Sequence, residues 1–146
     1  VIGDARMSLV KTADHQYEIL VLDAFSSDVI PTHLLTREAV ELYFKKLSSE
    51  GILLVHISNR FMDLAPVLDR LATSLSLRAY IQNDSRITPR ESDEGKFSSR
   101  WVMLARTDDA IAPFLGDSRW QRLDGELGGD LWTDDFSDVL RVMSLL

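Results

Sequence analysis

Glu18-Ile19-Leu20-Val21-Leu22-Asp23-Ala24-Phe25-Ser26-Ser27-Asp28 is the stretch on which the reading of this chain turns. Its four consecutive apolar residues, Ile19 to Leu22, predict a strand covered on both faces, as strands of a parallel sheet are. Asp23 arrives where that strand stops, followed by small hydroxylated residues and a second acid, Asp28. In open α/β sheets ligands sit just beyond the carboxyl ends of the strands, so an acid at that end faces a site.

Working outward, Val1-Ile2-Gly3-Asp4 reads as the tail of an earlier strand, and Asp14 to Tyr17 carry turn character. Thr36 is a natural N-cap for a helix over 36–48, whose apolar face is Val40, Tyr43, Phe44 and Leu47, with Glu50-Gly51 as its stop. Ile52 to Ile57 is a second buried strand, interrupted only by His56. A helix over 63–76 presents Leu64, Val67, Leu68, Leu71 and Leu75, with Pro66 in its first turn. A third strand is expected at 78–82, then a polar exposed loop over 83–99 containing Pro89 and Gly95. A strand at 100–106 returns antiparallel. Asp108 is expected to cap a short helix over 110–115, and a further segment carries Trp120 and Leu123. The glycines from Gly125 to Gly129 then break the chain ahead of an amphipathic tail. This order predicts a single α/β domain over residues 1–146, with a mostly parallel sheet and an antiparallel last strand.

At 146 residues, 45% hydrophobic and 27% charged, the chain is long enough to bury a core and ordinary in composition. A formal net charge of −7 argues against a nucleic-acid partner, which needs a basic face, and is compatible with a cationic substrate. The absence of cysteine excludes disulfides and thiolate metal sites and points to a cytoplasmic setting. No apolar run approaches the roughly 20 residues that span a bilayer.

Four acids and one imidazole fall where strand ends would bring them together: Asp4, Asp23, Asp28, His56, and Asp134 or Asp135. Each has a plain structural reading beside the functional one. Asp4 suits a turn after Gly3, and Asp28 suits a cap or turn before Val29-Ile30-Pro31. His56 suits a core histidine with a satisfied hydrogen bond. Asp134-Asp135 suits the cap of a C-terminal helix. Asp23 favours a site role, because a carboxylate closing a fully apolar strand is costly unless paired or functional. Tyr43, Phe44 and Trp101 are read most simply as core. No metal-ligand spacing and no Ser/His/Asp elbow is present. None of the seven glycines forms a G-x-G loop between a strand and a helix, the usual cradle of a nucleotide-like cofactor.

Gly3-Asp4-Ala5-Arg6, the run from Tyr17 to Pro31, Leu34-Leu35-Thr36-Arg37-Glu38 and His56-Ile57-Ser58-Asn59-Arg60 together resemble bacterial spermidine synthase-like proteins. These are polyamine aminopropyltransferases of the class I S-adenosylmethionine-dependent methyltransferase superfamily. Trp132-Thr133-Asp134-Asp135-Phe136 is similar to a segment near the end of that group. The resemblance implies the second half of a Rossmann-like methyltransferase fold, without the glycine-rich cofactor loop and the ribose-holding acid.

Carried over, it implies that Asp4 and Ala5 contact the adenine of decarboxylated S-adenosylmethionine, or of S-adenosylmethionine in a methyltransferase. Asp23 would accept the proton of an attacking amine. Asp28 and Asp134 would contact a polyamine substrate, although Ala24 and Phe25 lengthen the family's acid spacing before Asp28. No metal is implied. The longer form resembles a divergent branch often fused to membrane-spanning segments, which would put the domain on the cytoplasmic face. A non-catalytic module that forms a homodimer through an uncovered sheet edge is the competing expectation.

Overall fold

The computed structural model describes residues 4–23, 31–59 and 61–143. Its centre is a five-stranded sheet formed by β1 (Tyr17–Leu22), β2 (Leu47–His56), β3 (Arg78–Asp84), β4 (Ser99–Ala105) and β5 (Trp120–Leu123), in the spatial order β1-β2-β4-β3-β5. β1 and β2 pair in parallel, and every later pair is antiparallel. The ladders therefore give β1, β2 and β3 one direction, with β4 inserted in reverse between β2 and β3. The reversed strand expected at 100–106 is β4. It is not the last strand, because β5 adds an edge where the sequence showed only Trp120 and Leu123.

Two helices cover one face: α2 (Arg37–Lys46) and α3 (Ala65–Ser74). Thr36 caps α2 as its sequence predicts, its hydroxyl accepting the Ala39 N–H at 3.2 Å. Pro66 sits in the first turn of α3, where its missing N–H costs nothing. Val40, Tyr43 and Phe44 of α2 pack with Leu64, Val67, Leu68 and Leu71 over Leu53 and Val55 of the sheet and Ile57 just beyond it. Burying each such aliphatic side chain stabilises the fold by roughly 1.5–3 kcal/mol. The opposite face holds a smaller cluster of Ile52, Tyr80, Met103, Ala105 and Ile111.

Several expectations are corrected. β1 is not covered on both faces: Ile19 and Val21 are 50% and 58% exposed, while Leu20 and Leu22 pack against the core. Alternation along the strand sends the two pairs to opposite sides, and β1 lies at the end of the sheet. Glu50-Gly51 does not stop α2, since β2 already begins at Leu47. The register slips between Tyr17 and Ile19, and a Cβ on Gly51 would lie 2.8 Å from Leu47 Cβ, so this irregular stretch of strand needs glycine. The 83–99 loop contains a short helix, α4 (Pro89–Asp93), closed by a Thr88–Glu91 capping box.

Thr107, not Asp108, caps α5 (Asp108–Ile111). No α-helix follows Asp134-Asp135 among the described residues, only a single 3-10 turn. The tail makes a tight turn at Leu140–Val142 and docks through the Asp63 N–H to Val142 carbonyl bond of 2.8 Å. The expected strand end at Val1–Gly3 lies outside the described residues. Among those described, no helix is long and apolar enough to cross a membrane.

Candidate functional site

The parallel register sets the site. Leu22 pairs with Val55, so the next residue, Asp23, stands beside His56 at the carboxyl ends of β1 and β2. The Asp23 carboxylate meets His56 Nδ1 at 2.7 Å. The other ring nitrogen, Nε2, lies 2.7 Å from the Ser58 hydroxyl, which also accepts the Arg100 N–H at 2.7 Å. His56 pairs across the β2–β4 ladder with Trp101, and the two rings stack at 4.6 Å with an interplanar angle of 26°. Trp101 in turn faces Gln82, and Gln82 faces Trp120. A polar and aromatic row thus crosses the sheet at the end where its same-direction strands stop.

His56 has the satisfied hydrogen bonds expected of it, but it is not a core residue: its side chain is 22% exposed and its partner Asp23 is 58% exposed. The cost of burying an unpaired carboxylate therefore does not apply to Asp23. Trp101, read from the sequence as core, is instead half-buried, belongs to neither hydrophobic cluster and stacks on His56.

The other candidate acids lie in a second cluster. Asp4 caps α1 (Ala5–Val10), its Oδ1 accepting the Met7 N–H at 3.1 Å, and His33 Nε2 lies 3.4 Å from its Oδ2. The Met7 N–H above all, with lesser help from the Arg6 N–H and the charges of His33 and Arg6, holds the Asp4 carboxyl below its usual range against an opposing desolvation cost. Asp134 receives both arms of the Arg6 guanidinium at 2.7 Å and the Thr36 hydroxyl at 2.7 Å. Arg6 above all holds the Asp134 carboxyl down to about 2.

The Asp134 N–H donates to Glu38 and the Arg37 N–H donates to the Trp132 carbonyl, so the C-terminal segment is stitched to the start of α2. Asp134 thus joins α1, the α2 cap and the tail. Asp135 is exposed, and Asp28 lies outside the described residues.

Between the two clusters, Ala5 and Leu9 of α1 line an apolar groove of about 140 Å³ with Leu20, Val21, Leu22, Tyr43 and Leu53. Ala5 and the residue preceding Asp23 therefore share one cleft. Tyr43 closes its floor, with its hydroxyl bonded to the Leu34 carbonyl and its ionisation pushed up to about 12 by burial. Among the described residues no group of three or more His, Asp or Glu side chains is arranged to hold a metal.

No family model matches the chain. Over 56 residues, 37% of its length, it is 38% identical to a polyamine aminopropyltransferase of Vibrio vulnificus, a match that spans 19% of that protein. The fold aligns over 94% of the chain with a probable spermidine synthase from Corynebacterium glutamicum, at 17% identity and a TM-score of 0.59, covering 54% of that structure. It aligns over the whole chain with a spermidine synthase from Thermotoga maritima, at 13% identity and a TM-score of 0.50, covering 46% of that structure. The likeness in sequence is confined to those 56 residues and the likeness in fold runs over nearly the whole chain, which spans about half the length of these solved spermidine synthases.

Proposed function

We propose that this chain forms the C-terminal, proton-accepting half of an aminopropyltransferase-like domain. In this reading Asp23 is the base, the Ala5–Leu22 groove takes part of decarboxylated S-adenosylmethionine, and the acceptor is a polyamine. The observation that carries it is an exposed carboxylate, oriented by His56, at the strand end beside that groove. An amine cannot attack the methylene beside a sulfonium until it gives up a proton. A carboxylate within reach accepts that proton, and its charge draws a polyammonium toward the site. The remaining chemistry is in-line displacement, which depends on positioning.

The residues suit the cofactor in part. The apolar lining from Ala5 to Leu53 offers a face to a flat purine ring. At about 140 Å³, however, the groove is well below the roughly 300–1,000 Å³ of a complete small-molecule site. The ribose and the aminopropyl end would need walls beyond those described. Asp4 already caps α1 through the Met7 N–H, and Asp134 already accepts two Arg6 N–H bonds and the Thr36 hydroxyl, which leaves it little capacity for an amine. Asp28 is retained as a candidate amine contact on the resemblance alone.

Isothermal titration of the chain with decarboxylated S-adenosylmethionine and with S-adenosylmethionine tests the reading. Each 1.4 kcal/mol of lost positioning is tenfold in affinity, so the open half-groove is expected to bind at least about 10²-fold more weakly than an enclosed site. Preference for the decarboxylated form supports aminopropyl transfer, and preference for the carboxylated form supports methyl transfer instead. Micromolar binding of either would show that the described residues enclose more of the ligand than the groove suggests.

A second reading has its own observation. Met7 and Val10 of α1 and Ile19 and Val21 of the terminal strand β1 are each at least half exposed, and an uncovered strand edge invites pairing. A homodimer would cover both. Light scattering across a concentration series decides this, and a monomer at every concentration counts against it.

A further inference from the structure

We infer that His56 is a positioning residue, which fixes the Asp23 carboxylate through a hydrogen-bonded chain anchored in the sheet. This rests on the reading of Asp23 as the proton acceptor and adds the group that aims it. The direction of the chain follows from donor and acceptor counting. The Arg100 backbone N–H can only donate, so Ser58 Oγ accepts it and has its own proton free to give. At the other end the Asp23 carboxylate can only accept, so the proton of the neutral ring sits on Nδ1, facing it at 2.7 Å, and Nε2 is left to accept the Ser58 proton. Each link then has one donor and one acceptor.

Both ring nitrogens are thereby engaged, so the imidazole has no lone pair to offer a substrate. Stacking also restrains the ring. Trp101 stacks on one side at 4.6 Å, and both aromatic residues sit opposite each other on paired strands. Asp23, by contrast, has no strand partner of its own and is 58% exposed, so a free carboxylate there would sample several rotamers. His56 holds one oxygen, and the second is engaged by no described residue. A base of this kind works only while it points at the attacking amine, which is what the Nδ1–H contact secures.

Two measurements test this. In ¹⁵N-edited NMR of the chain, the neutral His56 ring is expected to carry its proton on Nδ1, and Asp23→Ala to release it toward Nε2. A wild-type ring protonated at Nε2 overturns the assignment. Turnover is measured with decarboxylated S-adenosylmethionine and putrescine, in the longest natural polypeptide that carries this chain. There His56→Ala is expected to lower kcat by about tenfold to 10²-fold with little change in KM, less than the 10²–10⁴ a general base itself contributes.

His56→Asn keeps an amide N–H near the Nδ1 position and is expected to recover most of the rate. His56→Gln reaches toward Ser58 instead and is expected not to. Unfolding curves matching wild type show that these variants fold. An unchanged kcat in His56→Ala, or equal loss in the two amides, overturns the proposal. If the wild-type protein transfers nothing, the transfer reading fails on its own, and the NMR result alone upholds or overturns the His56–Asp23 pairing.

Discussion

Removing the charge of Asp134 should loosen three elements at once, and its cost can be worked from the contacts. Asp134→Asn replaces a carboxylate that takes two Arg6 N–H bonds and the Thr36 hydroxyl, each at 2.7 Å. Lowering its ionisation from 3.8 to about 2 corresponds to about 2.5 kcal/mol at roughly 1.36 kcal/mol per unit. The side chain is 43% exposed, so solvent screening reduces this to about 1 kcal/mol. For a domain of this size that is about 3 °C in Tm.

Because the folded carboxyl titrates below its unfolded value of 3.8, the stabilisation is complete above that value and fades as pH falls toward 2. Urea unfolding of wild type, Asp134→Asn, Arg6→Ala and the double variant, at pH 7 and at stepped lower pH, reads both quantities. A coupling of about 1 kcal/mol at pH 7 that shrinks through the acid range is expected. A coupling near zero at pH 7, or one that does not decline with acid, would refute the claim that Asp134 is a tether. It would return Asp134 to the pool of possible amine contacts.

Asp69, 2% exposed on α3, accepts the N–H groups of Gly125 and Leu127 at 2.8 and 3.1 Å, so Asp69→Ala removes a charged acceptor from two part-buried hydrogen bonds. Its expected cost is about 2–3 kcal/mol by urea unfolding, with amide exchange accelerated at Gly125 and Leu127. Asp23→Asn, at an exposed strand end, is expected to shift stability by less than about 0.5 kcal/mol while abolishing any turnover of the longest natural polypeptide that carries this chain. A large loss of stability in that variant would mean that Asp23 holds the fold and does not serve chemistry.

The elements legible in the sequence were those whose local signals agree with their packing. Thr36 and the Val40–Tyr43–Phe44 stripe placed α2, and Pro66 with Leu68 and Leu71 placed α3, because each helix buries one face against the sheet. The apolar runs at 19–22 and 52–57 placed β1 and β2. What escaped was whatever depends on residues far apart in the chain. An unbroken apolar run cannot reveal whether both faces of β1 are covered, and with the strand at the sheet's end one face is not.

Asp134 looked like a helix cap because its partner, Arg6, lies 128 residues away. Lys46 is hidden in the same way. Its ammonium is buried against the Val10 and Thr12 carbonyls and Asp14, contacts supplied by the end of α1 and the turn after it.

The candidate site shows the same division. Asp23 could be picked out because it closes an apolar strand, and His56 because it interrupts one, yet nothing local joins residues 33 positions apart. The join comes from the β1–β2 register, which carries Leu22 opposite Val55 and so sets the next two side chains against each other. The β2–β4 register then adds Trp101 from 45 residues further on. A slip of one residue in either ladder would turn the acid, the imidazole or the indole to the opposite face of the sheet. The chemistry proposed for Asp23 therefore depends on strand pairing as much as on residue type, and among the described residues the same pairing leaves β1 at the end of the sheet.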